Sequence, residues 1–167
     1  MITAETLRTP RLTLLPLLVE HAEEMTVVLS DPGLHRFIGG EPLGAGELRA
    51  RYGGMAAGSG DPGVGWLNWV LRLEERGCLV GTVQATVTAG EHGSTAEIAW
   101  VLGTPWQGCG LAAESARALV GWLRERSVAA VIAHVHPDHR ASAAVATAAG
   151  LVPTEEWQDG EVRWHLP

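Results

Sequence analysis

Trp106-Gln107-Gly108-Cys109-Gly110-Leu111-Ala112-Ala113-Glu114 constrains this chain more than any other stretch. Two glycines stand directly ahead of an Ala/Leu-rich run with helical spacing. A glycine turn that opens a helix gathers unpaired backbone N–H groups at the positive end of the helix dipole. Such a turn seats a phosphate or pyrophosphate. A Walker loop is excluded, because GxxxxGK(S/T) needs a lysine and a hydroxyl that do not follow Gly110. Gly108-Cys109-Gly110-Leu111-Ala112-Ala113 does satisfy GxGxxA, but a dinucleotide fold needs two βαβαβ halves after its first strand. Too little chain follows Gly110 for that, and the strands before it form a meander.

The surrounding pattern predicts an α/β (α+β) chain. Arg11–Leu15 alternates as a strand ended by Pro16. Residues 19–29 read as a helix closed by the Asp31-Pro32-Gly33 turn. Residues 39–65 are glycine-rich, with a short helix near Glu47–Met55 and loop elsewhere. Trp66–Leu73 places Leu67, Trp69, Leu71 and Leu73 on one face. Leu79–Val87 and Thr95–Leu102 complete an antiparallel meander. Leu111–Arg126 is a helix with Ala112, Ala116, Leu119, Val120 and Leu123 on one side. Val128–Val135 is a buried-type strand, so Thr95–Val135 forms a βαβ crossover. Ala141–Ala149 is an alanine helix stopped by Gly150. Short strands follow near Leu151 and over Glu161–Leu166.

Composition narrows the partners. The 167 residues are 46% hydrophobic and 19% charged, which suits one globular domain spanning 1–167. The net charge of −7 argues against nucleic acid and mildly favours cationic substrates. Two distant cysteines, Cys78 and Cys109, form no disulfide framework, so a reducing cytoplasm is expected. No signal-peptide pattern opens the sequence, and no apolar run approaches the roughly 18 residues of a membrane span.

Several segments, in order, resemble the GNAT N-acetyltransferase superfamily, and within it the branch with the ribosomal-protein-alanine acetyltransferases. They are Thr9-Pro10-Arg11-Leu12, Ser30-Asp31-Pro32, Arg36-Phe37-Ile38-Gly39-Gly40, Leu79-Val80-Gly81-Thr82-Val83, Ala96–Leu102, Trp106–Ala112 and Val135–Ser142. The resemblance implies a mixed, mostly antiparallel twisted sheet flanked by helices, with its fourth and fifth strands splayed apart. Here these would be Thr95–Leu102 and residues 128–136. It implies acetyl-CoA as co-substrate and no metal. The pyrophosphate would rest on Gln107, Gly108, Cys109, Gly110, Leu111 and Ala112, with glycine at 108 and 110 because a Cβ would block close backbone approach. The pantetheine would lie along Trp100, Val101 and Leu102, whose freed backbone groups could also polarise the thioester carbonyl.

The resemblance also assigns roles to side chains. Glu97, on the fourth strand, is the candidate general base for an amine nucleophile; the alternative is a solvated or ion-paired strand carboxylate. The tyrosine that donates a proton to the leaving thiolate in other branches would fall near Ala146, and the chain's one tyrosine, Tyr52, lies elsewhere. Ser142 is the fallback donor, or a helix-start group that touches the cofactor. His139 replaces an asparagine that usually contacts the cofactor. Cys109 reads as a small spacer. His134-Val135-His136-Pro137-Asp138-His139 spells HxHxDH, a zinc-hydrolase pattern, yet downstream only Asp159 and His165 could complete such a site. Strand histidines running into a helix start are the plainer alternative. Trp66 and Trp69 are candidate acceptor-pocket walls or core. Asp31, Glu41 and Asp61 are candidate contacts for a cationic acceptor or turn residues. The reaction expected is direct attack of a primary amine in a ternary complex. A protein N-terminus, an antibiotic amine and a small-molecule amine all remain open, as do a monomer and a homodimer. The alternative is a GNAT-like domain that binds acyl-CoA without turnover.

Overall fold

The computed structural model describes residues 2–167. Eight strands form one sheet in the order β1-β2-β3-β4-β5-β6-β8-β7. They are β1 (Leu7–Arg8), β2 (Leu12–Pro16), β3 (Val64–Leu73), β4 (Cys78–Thr88), β5 (Thr95–Leu102), β6 (Ala130–Val135), β7 (Val152–Gln158) and β8 (Glu161–His165). The helices are α1 (Ala22–Val28), α2 (His35–Ile38), α3 (Ala45–Ala57), α4 (Leu111–Glu125) and α5 (Arg140–Ala148). The expected fourth and fifth strands are therefore β5 and β6, because the short β1 adds one to the count.

Alternation assigns the two faces. On β3, Leu67, Trp69, Leu71 and Leu73 are buried in a core shared with Leu111, Leu119 and Leu123 of α4 and Ala146 of α5. Between them, Val70 faces a second cluster, with Met25 of α1 and Leu48 and Tyr52 of α3. Period-2 side-chain geometry thus puts α4 and α5 on one face and α1 and α3 on the other. Gly81 of β4 lies against β5 so closely that a Cβ there would stand 2.2 Å from the Val101 carbonyl oxygen.

All neighbouring strands are antiparallel except β5 and β6, which the α4 crossover makes parallel. That ladder runs only from Thr95–Ala130 to Glu97–Ile132. Beyond Glu97, β5 continues to Leu102, paired with β4 alone. This is the splay.

Local differences from the sequence expectations have simple causes. The first helix opens with a 3₁₀ turn at Val19–His21. Pro32 starts another 3₁₀ turn, and α2 follows as a single turn too short for periodicity to reveal. The helix expected over Glu47–Met55 runs from Ala45 to Ala57. β7 runs on to Gln158 as an exposed edge strand with no apolar alternation.

Candidate active site

The glycine turn ends as the sequence implies, with α4 starting at Leu111. Gly108 has φ +81° and Gly110 φ +84°. A Cβ on Gly108 would meet nothing within 4 Å. Glycine is required here by the left-handed backbone, and crowding by protein atoms is not the cause. The Gln107 N–H is spent on the Thr104 carbonyl at 3.3 Å, and the next N–H to reach a backbone carbonyl is that of Glu114, on Gly110 at 3.0 Å. The N–H groups of Gly108 through Ala113 have no acceptor among the described residues outside the helix ladder. Gln107 is engaged at its side chain too, donating from Nε2 to the Leu102 carbonyl at 2.9 Å. The candidate anion seat is thus displaced one residue along the chain from Gln107.

Residues from the chain's beginning hold this seat. Arg11 donates from Nε to Glu114 Oε1 at 2.8 Å and from Nη1 to the Cys109 carbonyl at 2.9 Å. Thr9 Oγ1 and the Arg11 N–H both donate to Glu114 Oε2, at 2.5 and 2.9 Å. Burial opposes the Glu114 charge, but these hydrogen bonds and the guanidinium outweigh it and lower its pKa. The sequence placed the Thr9–Leu12 segment in the fold but gave no sign that it buttresses a loop so far along the chain.

A cavity of about 520 Å³ runs from this seat into the splay. Trp100, Val101 and Leu102 form one wall; Gly108, Gly110, Leu111 and Ala112 form another. Gln107, His139, Ser142 and Val145 also face it. Ala112 packs against the core, as expected, and lines this cavity as well. The remaining side comes from Asp31, Gly33, Leu34, Phe37 and Ile38. Phe37 stacks on the His139 ring at 4.1 Å, joining α2 to the start of α5. Asp31 accepts from Gly33 N at 2.9 Å and from Thr104 Oγ1 at 2.6 Å, which ties the α1–α2 turn to the end of β5. Burial lowers the His139 pKa, and the neighbouring His136 adds to the effect. Ser142 Oγ lies 3.4 Å from His139 Nε2.

Other candidates fall elsewhere. Glu97 lies outside the cavity wall, on the same sheet side as Ala99 and Val101, some 13 Å along the strand from Val101 at about 3.3 Å per residue. Its Oε1 is bonded to His134 Nδ1. The three histidines of the HxHxDH run do not converge on one point: His134 turns to Glu97, His136 accepts from the Asp138 N–H at 3.1 Å, and His139 stacks on Phe37, whose ring also lies 5.3 Å from that of His136. Among the described residues, no three His, Cys, Asp or Glu side chains converge as metal ligands. Cys109 is exposed, its thiol 3.2 Å from the Trp106 carbonyl, and its side chain is not part of the cavity wall. Trp69 belongs to the core and donates to the Glu5 carbonyl at 2.7 Å. Trp66, 44% exposed, lines a second cavity of about 620 Å³ with Asn68, Leu17 and the end of α3. Asp61 caps its own turn through the Gly63 N–H at 2.8 Å. Tyr52 is buried among α1 and α3 residues, outside the walls of both cavities, and burial pushes its pKa up to about 12.

A sheet whose one parallel pair opens beside a glycine-led helix start defines a class of α/β domains built to hold an extended, phosphate-bearing ligand between two strands. Within that class, the chain belongs to the GNAT acetyltransferases: the family model for the acetyltransferase (GNAT) domain matches residues 11–152. Among solved structures it is similar to a GNAT-family acetyltransferase from Bacillus anthracis (20% identity, 96% of this chain and 97% of that one, TM-score 0.76). It is also similar to an acetyltransferase from Agrobacterium tumefaciens (27%, 99% and 95%, TM-score 0.72). RimL, a ribosomal L7/L12 α-N-protein acetyltransferase solved with coenzyme A, aligns at 17% identity over 96% of both chains, with a TM-score of 0.78. No curated protein sequence matches the chain. Among the described residues, no helix is long and apolar enough to cross a membrane.

Proposed function

We propose that this protein transfers an acetyl group from acetyl-CoA to a primary amine, by direct attack within a ternary complex. One observation carries the reading: acceptor-free N–H groups of Gly108 through Ala113 stand at the mouth of a cavity that leads into the splay. The fit is supported by the open space that a Cβ on Gly108 would enter, which leaves room for a phosphate against the backbone. RimL was solved with coenzyme A, and the MccE acetyltransferase, another structural relative, with acetyl-CoA and AMP.

Acetyl-CoA supplies an acyl group activated as a thioester. Gly108 through Ala113 bind its pyrophosphate. The unpaired edge of β5 at Trp100, Val101 and Leu102 holds the pantetheine arm as an added strand and offers donors to the thioester oxygen. Glu97, lying back along β5 from that thioester, takes the proton from the incoming ammonium through water, so that nitrogen attacks with a free lone pair. Ser142, with His139 behind it, is the donor offered to the departing thiolate. The acceptor arrives over the sheet face that carries Glu97 and Trp66. A peptide N-terminus, an antibiotic amine and a metabolite amine all suit that open face. The second reading, an acyl-CoA-binding domain without turnover, draws on the position of Tyr52, far from where an acid would be needed.

The test is calorimetric titration with acetyl-CoA of wild type and of Gly110→Trp. Wild type should bind. The variant should lose at least roughly 100-fold in affinity, because bulk and backbone strain fall on the anion seat. Free-thiol release across a panel of amines then separates enzyme from binder. Absence of wild-type binding would sink the acetyltransferase reading, and binding without release for any amine would favour the second.

A further inference from the structure

Glu97–Ile132 is the last pair before β5 and β6 part. His134, two residues beyond Ile132 on β6, shares its face. Its side chain is 8% exposed, against 43% for Glu97. Nδ1 of His134 is bonded to Glu97 Oε1. On the other side of the ring, Nε2 lies 3.2 Å from Nε of Arg163, which sits opposite His134 in the β6–β8 ladder. Arg163 Nη1 in turn bonds Glu156 Oε2 at 3.2 Å.

The guanidinium fixes the protons in this chain. Its Nε–H can only donate, so His134 Nε2 must accept and carries no proton. A neutral imidazole then has its single proton on Nδ1, where it donates to Glu97. Both ring nitrogens are committed, so His134 has no lone pair to offer a substrate. Glu97 Oε2 makes no hydrogen bond among the described residues. The other ionisable groups on this face are His165 and Glu161 of β8, the Arg163–Glu156 pair, and His136 two residues past His134; β4 presents Thr86 opposite Glu97.

We infer that His134 is a positioning residue for acyl transfer: locked as the Nδ1–H tautomer by Arg163, it orients Glu97 at the splay apex with Oε2 free for the acceptor's proton. This rests on the proposal that Glu97 is the base. A purely structural tie between β5, β6 and β8 would share the same contacts, but it would make no demand on which donor stands beside Glu97.

Two measurements decide it. Nitrogen-15 spectra of wild type should show His134 with a protonated Nδ1 and a bare Nε2; a protonated Nε2 overturns the inference whatever the activity. Thiol release is then compared for wild type, His134→Leu and His134→Asn, whose amide N–H stands near the place of Nδ1–H. Leucine should lower kcat about tenfold, with KM for acetyl-CoA and acetyl-CoA affinity unchanged. Asparagine should restore most of the lost kcat. An undiminished kcat in His134→Leu, or an Asn variant as impaired as Leu, overturns the inference and leaves the proposed acetyltransferase intact. No thiol release by wild type with any amine overturns both. Should His134→Leu fail to fold, the wild-type tautomer and the Asn kcat still decide.

Discussion

The two sides of the splay are built very differently. From β2 to β5 the sheet is continuous: β4 pairs with β5 along the whole length of β5, from Gly81–Leu102 to Thr88–Thr95. This part has helices on both faces, and its strands alternate cleanly between two cores. β6, β8 and β7 form the other part. It joins the first through a ladder that stops at Glu97 and through α4, and it ends in an exposed edge with Trp157 at 61% exposure. One side is a closed scaffold. The other resembles a flap hinged on a short seam, and the site lies where they separate. Rigid pairing fixes the β5 edge in place, while the weak seam lets that edge stay open.

The largest expected effect attacks the closed side. Gly81→Ala forces a Cβ into the Val101 carbonyl and should cost about 3 kcal/mol in urea unfolding. Gly121→Ala in α4, where a Cβ meets nothing within 4 Å, should gain about 0.5–1 kcal/mol and serves as the control. Equal small effects would mean that the β4–β5 approach is looser than described.

A middle-sized effect concerns the buttress that joins the first strands to α4. Glu114→Gln keeps the shape but removes the charge that Thr9 and Arg11 bind, so calorimetry should show acetyl-CoA affinity falling about tenfold. The same residue sets an acid dependence. Its folded pKa lies below the ordinary glutamate value of 4.5, so its stabilisation is present above 4.5 and disappears as pH falls through the folded value. Acid unfolding of Glu114→Gln should lack that component. Identical acid curves would remove the buttress from the comparison.

The smallest effect probes the open side. Burial lowers the His139 pKa below 6.5, so the fold favours the neutral ring and loses stability as pH falls through 6.5 toward the folded value. His139→Asn should flatten that slope in thermal melts, changing the midpoint by at most about 2 °C. An unaltered slope would assign it to His21 instead, whose pKa burial also lowers.

The contrast between the halves also explains what the sequence disclosed. Leu67, Trp69, Leu71 and Leu73 announce β3 because one face is buried and the pleat has period two. Gly110 and Gly150 mark the ends of α4 and α5 because a positive φ there calls for glycine. The anion seat followed from the glycine turn itself, and the splay from the resemblance once these elements were ordered. β7 was half legible, since an exposed edge strand has no apolar face to alternate. α2 was not legible, because one turn carries no period. The partners of Glu97 and Glu114 were invisible for a different reason. They depend on which residues the register sets opposite one another, and nothing local in Arg11, His134 or Arg163 encodes that. His134 even sat in a run that suggested a metal, while its contacts turn it toward a carboxylate.

The short seam from Thr95 to Glu97 also bears on how long the folded chain endures. A ligand that bonded the free edge of β5 and reached across to α5 would stitch the flap to the scaffold, and its binding energy would become cohesion of the sheet. At a hundred times its Kd, such a ligand adds about 2.7 kcal/mol to folding. Unfolding and proteolysis through the seam would slow in step with the supply of acyl donor. The chain's survival in a cell would then become a gauge of the thioester pool on which it draws.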